Sequence, residues 1–328
     1  MPIERPAPLS DLIALGGAGL EVTELGGAAA TTAMGPGVVR LGVHRGGPMP
    51  GGALAEFDIL LSVDPLAPAP WVATTPDRLD AVIAELGACV AAQPVAAATA
   101  AQVLRITRDL TFDQALSLES LAYSMLLASG GFLAWREATP IRERADDGLR
   151  VLILQDGPNL DIRLNRPAVR NAFDAAMRDQ LVEALTFALE HPDAPPVTLR
   201  GAGPVFSAGG DLDTFGQAGD PGEAHLIRTL RSPVRAVRNL GERLTACLHG
   251  ACVGAGIEVP AAAARVIARP GTTFRLPEIS MGLIPGAGGT ASLPRRIGRR
   301  RTCYMALSGA EIDLQTALAW GLVDAVAP

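Results

Sequence analysis

Hydrophobic residues recur along this chain with two different periods, and the change between them divides it. Leu79, Val82, Ile83 and Leu86 follow the 3.6-residue period of a helix, with Thr75 or Pro76 placed to open it. A second helical segment over residues 112–128 carries Leu118, Leu121 and Met125 at spacings of three and four, and Asp113 and Glu119 fall off that stripe. Both segments read as packing helices, for a core or an oligomer contact. Upstream, residues 38–43 and 57–63 are short aliphatic and β-branched runs between Gly/Pro turns, which predicts strands. No residue before Thr75 asks for a chemical role. The polar run over residues 142–147 reads as a linker.

From Leu149 the pattern becomes that of alternating strands and helices. Residues 151–154 form a continuous apolar run, Asp156-Gly157 is a hairpin turn signal, and Leu160, Ile162 and Leu164 then alternate with polar residues. Asp174 can cap a helix with Met177, Leu181, Leu185 and Leu189 on one face. A strand over residues 197–199, a helix over 223–239 interrupted at Pro233, and a strand at Leu244–Leu248 follow. This recurrence predicts an α/β layered fold. Residues 1–75 form short strands and turns, 76–145 a helical region, and 149–328 the main unit.

Composition narrows the function. Aromatic residues are 4% and the formal net charge is −6, so nothing favours nucleic acid. Cys89, Cys247, Cys252 and Cys303 form no CxxC pair, and no histidine pattern completes a metal site. The start, MPIERPAPLSD, lacks the layout of a signal peptide, and no run reaches the ~20 apolar residues of a membrane span. The expectation is a cytoplasmic protein with buried free thiols and no membrane contact.

The candidate chemistry lies in residues 248–289. Gly254-Ala255-Gly256 leads into Glu258, and Glu278 precedes Gly286-Ala287-Gly288-Gly289, each carboxylate among apolar residues. Buried carboxylates are costly, so a pair of them points to acid–base work. Two arginine groups, Arg228, Arg231, Arg235 and Arg238, and then Arg295, Arg296, Arg299, Arg300 and Arg301, read either as solvated faces or as a clamp for phosphates.

These motifs carry a resemblance. Residues 164–173 (LNRPAVRNAF), 206–212 (FSAGGDL), 249–258 (HGACVGAGIE), Leu276-Pro277-Glu278 and 282–290 (GLIPGAGGT) resemble, in order and spacing, the signatures of the crotonase (enoyl-CoA hydratase/isomerase) superfamily. The resemblance implies a crotonase-like (ClpP/crotonase) spiral core of repeated ββα units, with an additional mixed and helical N-terminal region. It implies that the backbone N–H groups of Ala208 and Ala255 form an oxyanion hole for a thioester carbonyl. One such donor is worth about 3 kcal/mol of barrier. It further implies that Glu258 and Glu278 hold and deprotonate a water with help from Gly286 N–H, and that Arg170, Phe206, Ser207, Gly209, Asp211 and Gly254 contact the substrate.

Hydration of an acyl-CoA is therefore the expected activity, with coenzyme A entering only as part of the substrate and with no metal or redox cofactor. A homo-oligomer, trimer or dimer of trimers, is also implied. The alternatives are a double-bond isomerase or another thioester-enolate reaction, and, in a different class, a non-catalytic acyl-CoA-binding protein. A serine nucleophile at Ser207 with His249 is disfavoured, since no Gly-x-Ser-x-Gly elbow surrounds it. Ala264 stands where relatives often carry an aspartate. Residues 77–137 resemble the family's C-terminal helices moved to the front, with 1–75 a degenerate copy or an added cap.

Overall fold

The computed structural model describes residues 19–26, 37–51, 54–142 and 148–327. Nearest the N-terminus, β1 (Leu20–Glu24), β2 (Val39–His44), β3 (Ile59–Ser62) and β4 (Val72–Ala73) form an all-parallel sheet in that order. The expected strands over 38–43 and 57–63 are its centre, and every residue of β3 is buried, as in a parallel sheet covered by helices. Four helices follow: α1 (Pro76–Ala92), α2 (Pro94–Thr107), α3 (Phe112–Leu127) and α4 (Gly130–Ala138). Pro76 opens α1, and Thr111 with Gln114 forms a capping box on α3. Of the linker predicted over 142–147, residues 143–147 lie outside the described residues. The Arg142 N–H donates to Asp213 Oδ1 at 3.1 Å.

Of the expected stripe on α3, Leu118 packs on the core. Leu121 and Met125 are exposed at 55% and 54%, whereas Glu119 is buried. Glu119, expected off the stripe, turns inward because the interior that α3 meets supplies N–H donors for a carboxylate.

The main unit runs β5 (Val151–Asp156), β6 (Asn159–Leu164), α5 (Ala175–Glu190), β7 (Val197–Gly201), α6 (Pro221–Leu230), α7 (Pro233–Leu240), β8 (Leu244–Leu248), β9 (Ala251–Val253), α8 (Ala255–Glu258), β10 (Arg265–Ala268), β11 (Thr273–Arg275), α9 (Gly289–Ser308, broken at Gly298), β12 (Ile312–Asp313), α10 (Leu314–Trp320) and β13 (Ala325–Val326). The large sheet has the order β13-β10-β8-β7-β6-β5, parallel except for the β5–β6 hairpin. A small sheet, β12-β11-β9, lies beside it and carries the site turns. The predicted hairpin, the Asp174 cap and the interruption at Pro233 are all present. Because Pro233 starts a new helix, the four arginines of 228–238 do not form one continuous face. As an edge strand β5 leaves Ile153 and Leu154 partly exposed.

In the second arginine cluster Arg295 is exposed and Arg296 bonds to Ala261, Ala263 and Asp324 within the main unit. Arg299, Arg300 and Arg301 tie the two parts together. Arg299 donates to Asp58 Oδ1 at 3.3 Å and to the Ala55 carbonyl at 2.5 Å; Arg300 donates to the Phe57 carbonyl, and Arg301 to that of Trp71. Buried apolar residues of both parts form one continuous core. Among the described residues no single helix is long and apolar enough to cross a membrane.

Candidate active site

A cavity of about 620 Å³ opens between α3, α6 and the two glycine-rich turns. Four of the residues expected to do chemistry line it: Ala255, Glu258, Glu278 and Gly286. Ala255 begins the single turn α8, where first-turn N–H groups have no helical acceptor. No acceptor is found for its N–H among the described residues, so it is available to a ligand oxygen. Gly254, at φ 51°, makes that turn possible: a Cβ there would lie 2.5 Å from Glu278 Oε1 and 3.8 Å from Glu258 Oε1. The two carboxyl groups thus flank one point of the backbone.

The Gly-Ala-Gly-Gly turn at the start of α9 acts as an anion cradle. Ala287 N–H and Gly289 N–H donate to Glu258 Oε2 at 2.7 and 2.9 Å. In alternation, Gly288 N–H donates to Glu119 Oε1, and Thr290 gives its N–H and hydroxyl to Glu119 Oε2, each at 2.7 Å. Both carboxylates therefore face the positive end of α9. Glu278 receives no N–H from that turn, and its buried Oε2 has no hydrogen-bond partner among the described residues.

Burial pushes all three carboxyl groups up. Desolvation moves Glu119 to about 7 and Glu278 to about 8, and it raises Glu258 well above its ordinary value, with the charges of Glu278 and Glu119 adding to the rise. The two N–H donors on Glu258 offset part of this rise.

The rise at Glu278 has a consequence for stability. Its folded pKa lies above the ordinary 4.5, so its contribution is fully present below about 4.5 and is lost as pH rises through about 8. Glu278→Gln removes this dependence. The variant's unfolding free energy, read by chemical denaturation, should gain on wild type between pH 5 and pH 9 by a difference on the order of a few kcal/mol. A gap between the two proteins that stays constant across that range would refute it.

Other expected site residues are placed elsewhere. Ala208 N–H donates to the Arg170 carbonyl at 2.9 Å, because Arg170 adopts a left-handed conformation (φ 55°, ψ 40°) that turns its carbonyl inward. A substrate oxygen would have to compete for that donor. Phe206 and Ser207 are buried, Ser207 Oγ donating to the Asn171 carbonyl and accepting from Gly209 N–H. Asp211 forms an ion pair with Arg166 at 2.8 Å. Arg170, Phe206, Ser207, Ala208, Gly209, Asp211 and Gly254 shape the turns and do not line the cavity. His249 bonds the Gly203 carbonyl and not Ser207.

Glu119 and Tyr123, which the sequence pattern did not single out for chemistry, complete the wall together with Arg228. Tyr123 packs so closely on Gly286 that a Cβ there would lie 2.2 Å from its ring. The Arg228 guanidinium lies 4.8 Å from the same ring's centroid. Glu119 and Tyr123 share α3 at a helical spacing of four, a signal that was visible but indistinguishable from packing.

The family model for enoyl-CoA hydratase/isomerase matches residues 159–328, more than half of the chain. The chain belongs to the enoyl-CoA hydratase/isomerase family. Among its curated relatives, a 2,3-dehydroadipyl-CoA hydratase of Escherichia coli (strain K12) is 35% identical over 168 residues, covering 51% of this chain and 65% of that protein. A mevalonyl-coenzyme A hydratase of Beauveria bassiana is 30% identical, covering 52% and 63%. The chain thus spans just under two thirds of these relatives' lengths. An enoyl-CoA hydratase crystal structure from Thermoplasma volcanium is similar at a TM-score of 0.50 and 32% identity, covering 55% of this chain and 72% of that one. The crotonase fold expected from the motifs is therefore the fold of the main unit, with the N-terminal strands and helices added to it.

Proposed function

We propose that this enoyl-CoA hydratase/isomerase family member adds water across the 2,3 double bond of an enoyl-CoA thioester. The observation that carries the reading is the pair of buried carboxyl groups, Glu258 and Glu278, lining one cavity with an available N–H at Ala255. In this reading Glu258 takes a proton from a water that Gly286 N–H helps to hold. The water oxygen bonds to the β-carbon, and the double-bond electrons move onto the thioester oxygen, where Ala255 N–H and the positive end of α8 stabilise the enolate. Glu278 then gives its proton to the α-carbon. One proton enters the pair as another leaves, so no oxidant or reductant is required.

The exposed edge-strand residues Ile153 and Leu154, with Leu149 just before them, support self-association. The four free cysteines support a reducing compartment, the cytoplasm in this reading. Residues 76–138 would fill the place of relatives' C-terminal helices, which is supported by the way α3 closes the cavity with Glu119 and Tyr123. The test is spectrophotometric. Purified protein should consume the conjugated-thioester absorbance of crotonyl-CoA or a longer enoyl-CoA, and protein that binds these thioesters without consuming either would overturn the reading.

A further inference from the structure

The cavity wall holds four arginines: Arg178, Arg228, Arg231 and Arg235. Three have carboxylate partners. Arg178 pairs with Asp179, Arg231 with Glu183, and Arg235 with Asp113. Arg228 has none within ion-pair distance among the described residues. Its Nε donates to Ser120 Oγ at 3.2 Å, and its Nη2 to the Ser120 carbonyl at 3.2 Å and to Ser124 Oγ. These acceptors are all neutral. Its Nη1 makes no hydrogen bond among the described residues. Glu119, the carboxylate whose charge Arg228 feels, is turned instead toward Gly288 and Thr290. The result is a guanidinium fixed by two serines and an aromatic ring, desolvated enough that burial lowers its pKa, with one donor edge unused. A desolvated cation is costly unless an anion meets it.

We infer that the acyl group of the natural thioester ends in a carboxylate, and that Arg228 receives it. The inference rests on the thioester reading above and names the substrate class for that same site. Leu116, Leu127, Phe173, Phe215 and Ile227 line the same cavity and suit the methylene groups of such a chain. Distance selects the acyl end over the coenzyme. Tyr123 touches Gly286 with one part of its ring and Arg228 with its face, so the guanidinium stands about one aromatic ring from the reacting turn. The phosphates of coenzyme A lie at the far end of an extended pantetheine arm, several ring widths away. Planar, two-point recognition of a carboxylate is also what a guanidinium does best.

The experiment compares two enoyl-CoA substrates of equal chain length, one ending in methyl and one in carboxylate, with wild type, Arg228→Met and Arg228→Lys. In parallel, calorimetry compares binding of the two corresponding saturated thioesters and of free coenzyme A. Wild type should prefer the carboxylate-ended compound by about tenfold or more, both in kcat/KM and in binding. Arg228→Met should collapse that preference toward unity, and Arg228→Lys should retain part of it. Equal use and equal binding of both compounds by wild type would overturn the inference without any variant. It would also fall if Arg228→Met weakened free coenzyme A and both thioesters alike, since the guanidinium would then be holding phosphate. If neither enoyl compound is hydrated but the saturated carboxylate-ended thioester still binds more tightly through Arg228, the hydration reading fails and the inference stands.

Discussion

Glu258→Gln and Glu278→Gln should each lower turnover of an enoyl-CoA thioester by about 10²–10⁴-fold, with thioester binding changed only a few-fold. Glutamine preserves shape, so the loss isolates the proton chemistry. At Glu258 the amide can no longer take a proton from water, although Ala287 and Gly289 still hold its oxygen. At Glu278 the α-carbon loses its proton donor. The two variants should differ in pH dependence, since each removes one of two coupled buried groups. The measurement is steady-state kinetics with calorimetric binding of a saturated thioester. Full activity in Glu258→Gln beside an inactive Glu278→Gln would replace hydration with a single-carboxylate isomerase mechanism.

The second large effect lies far from the chemistry. Asp58, with a side chain 1% exposed, accepts from Arg105 Nε at 2.8 Å, Arg299 Nη1 at 3.3 Å and Arg40 N–H at 2.9 Å. It joins the N-terminal sheet, α2 and α9 at one point. Asp58→Ala should destabilise the fold by about 3–5 kcal/mol, because removing one member of a buried ionic network leaves the cations uncompensated. Chemical denaturation followed by circular dichroism reads this directly. A loss below about 1 kcal/mol would mean that the N-terminal sheet is not an integral part of the folded core. Asp58→Asn should fall between, since it keeps one acceptor oxygen.

The two glutamates and Asp58 differ in how visible they were. Glu258 lies two positions beyond Gly254-Ala255-Gly256 and Glu278 eight positions before Gly286, so both carboxylates were legible within one short apolar stretch. Asp58 stands alone just before an aliphatic strand, and its guanidinium partners lie 47 and 241 residues away. Nothing in the local pattern could name them. The cluster of arginines near residue 300 was visible as charge, but its purpose was not, because a basic run on a helix looks the same whether it faces water or another part of the chain.

The same division explains α3. Apolar spacing of three and four identified a helix, since that period follows from backbone geometry alone. It could not say which face meets the interior. That was decided by donors supplied from the start of α9, which bond Glu119 across 169 and 171 residues and draw a charged position inward while Leu121 and Met125 remain outside.

By itself, then, the sequence determined the layered α/β core, the two glycine-rich turns and the carboxyl groups beside them, because each depends on neighbours a few residues apart. The tertiary structure decided what closes the cavity, which N–H groups are already engaged, and which cation lacks an anion. Those properties belong to groups brought together from distant parts of the chain, where burial and hydrogen-bond partners set the charge each one can carry.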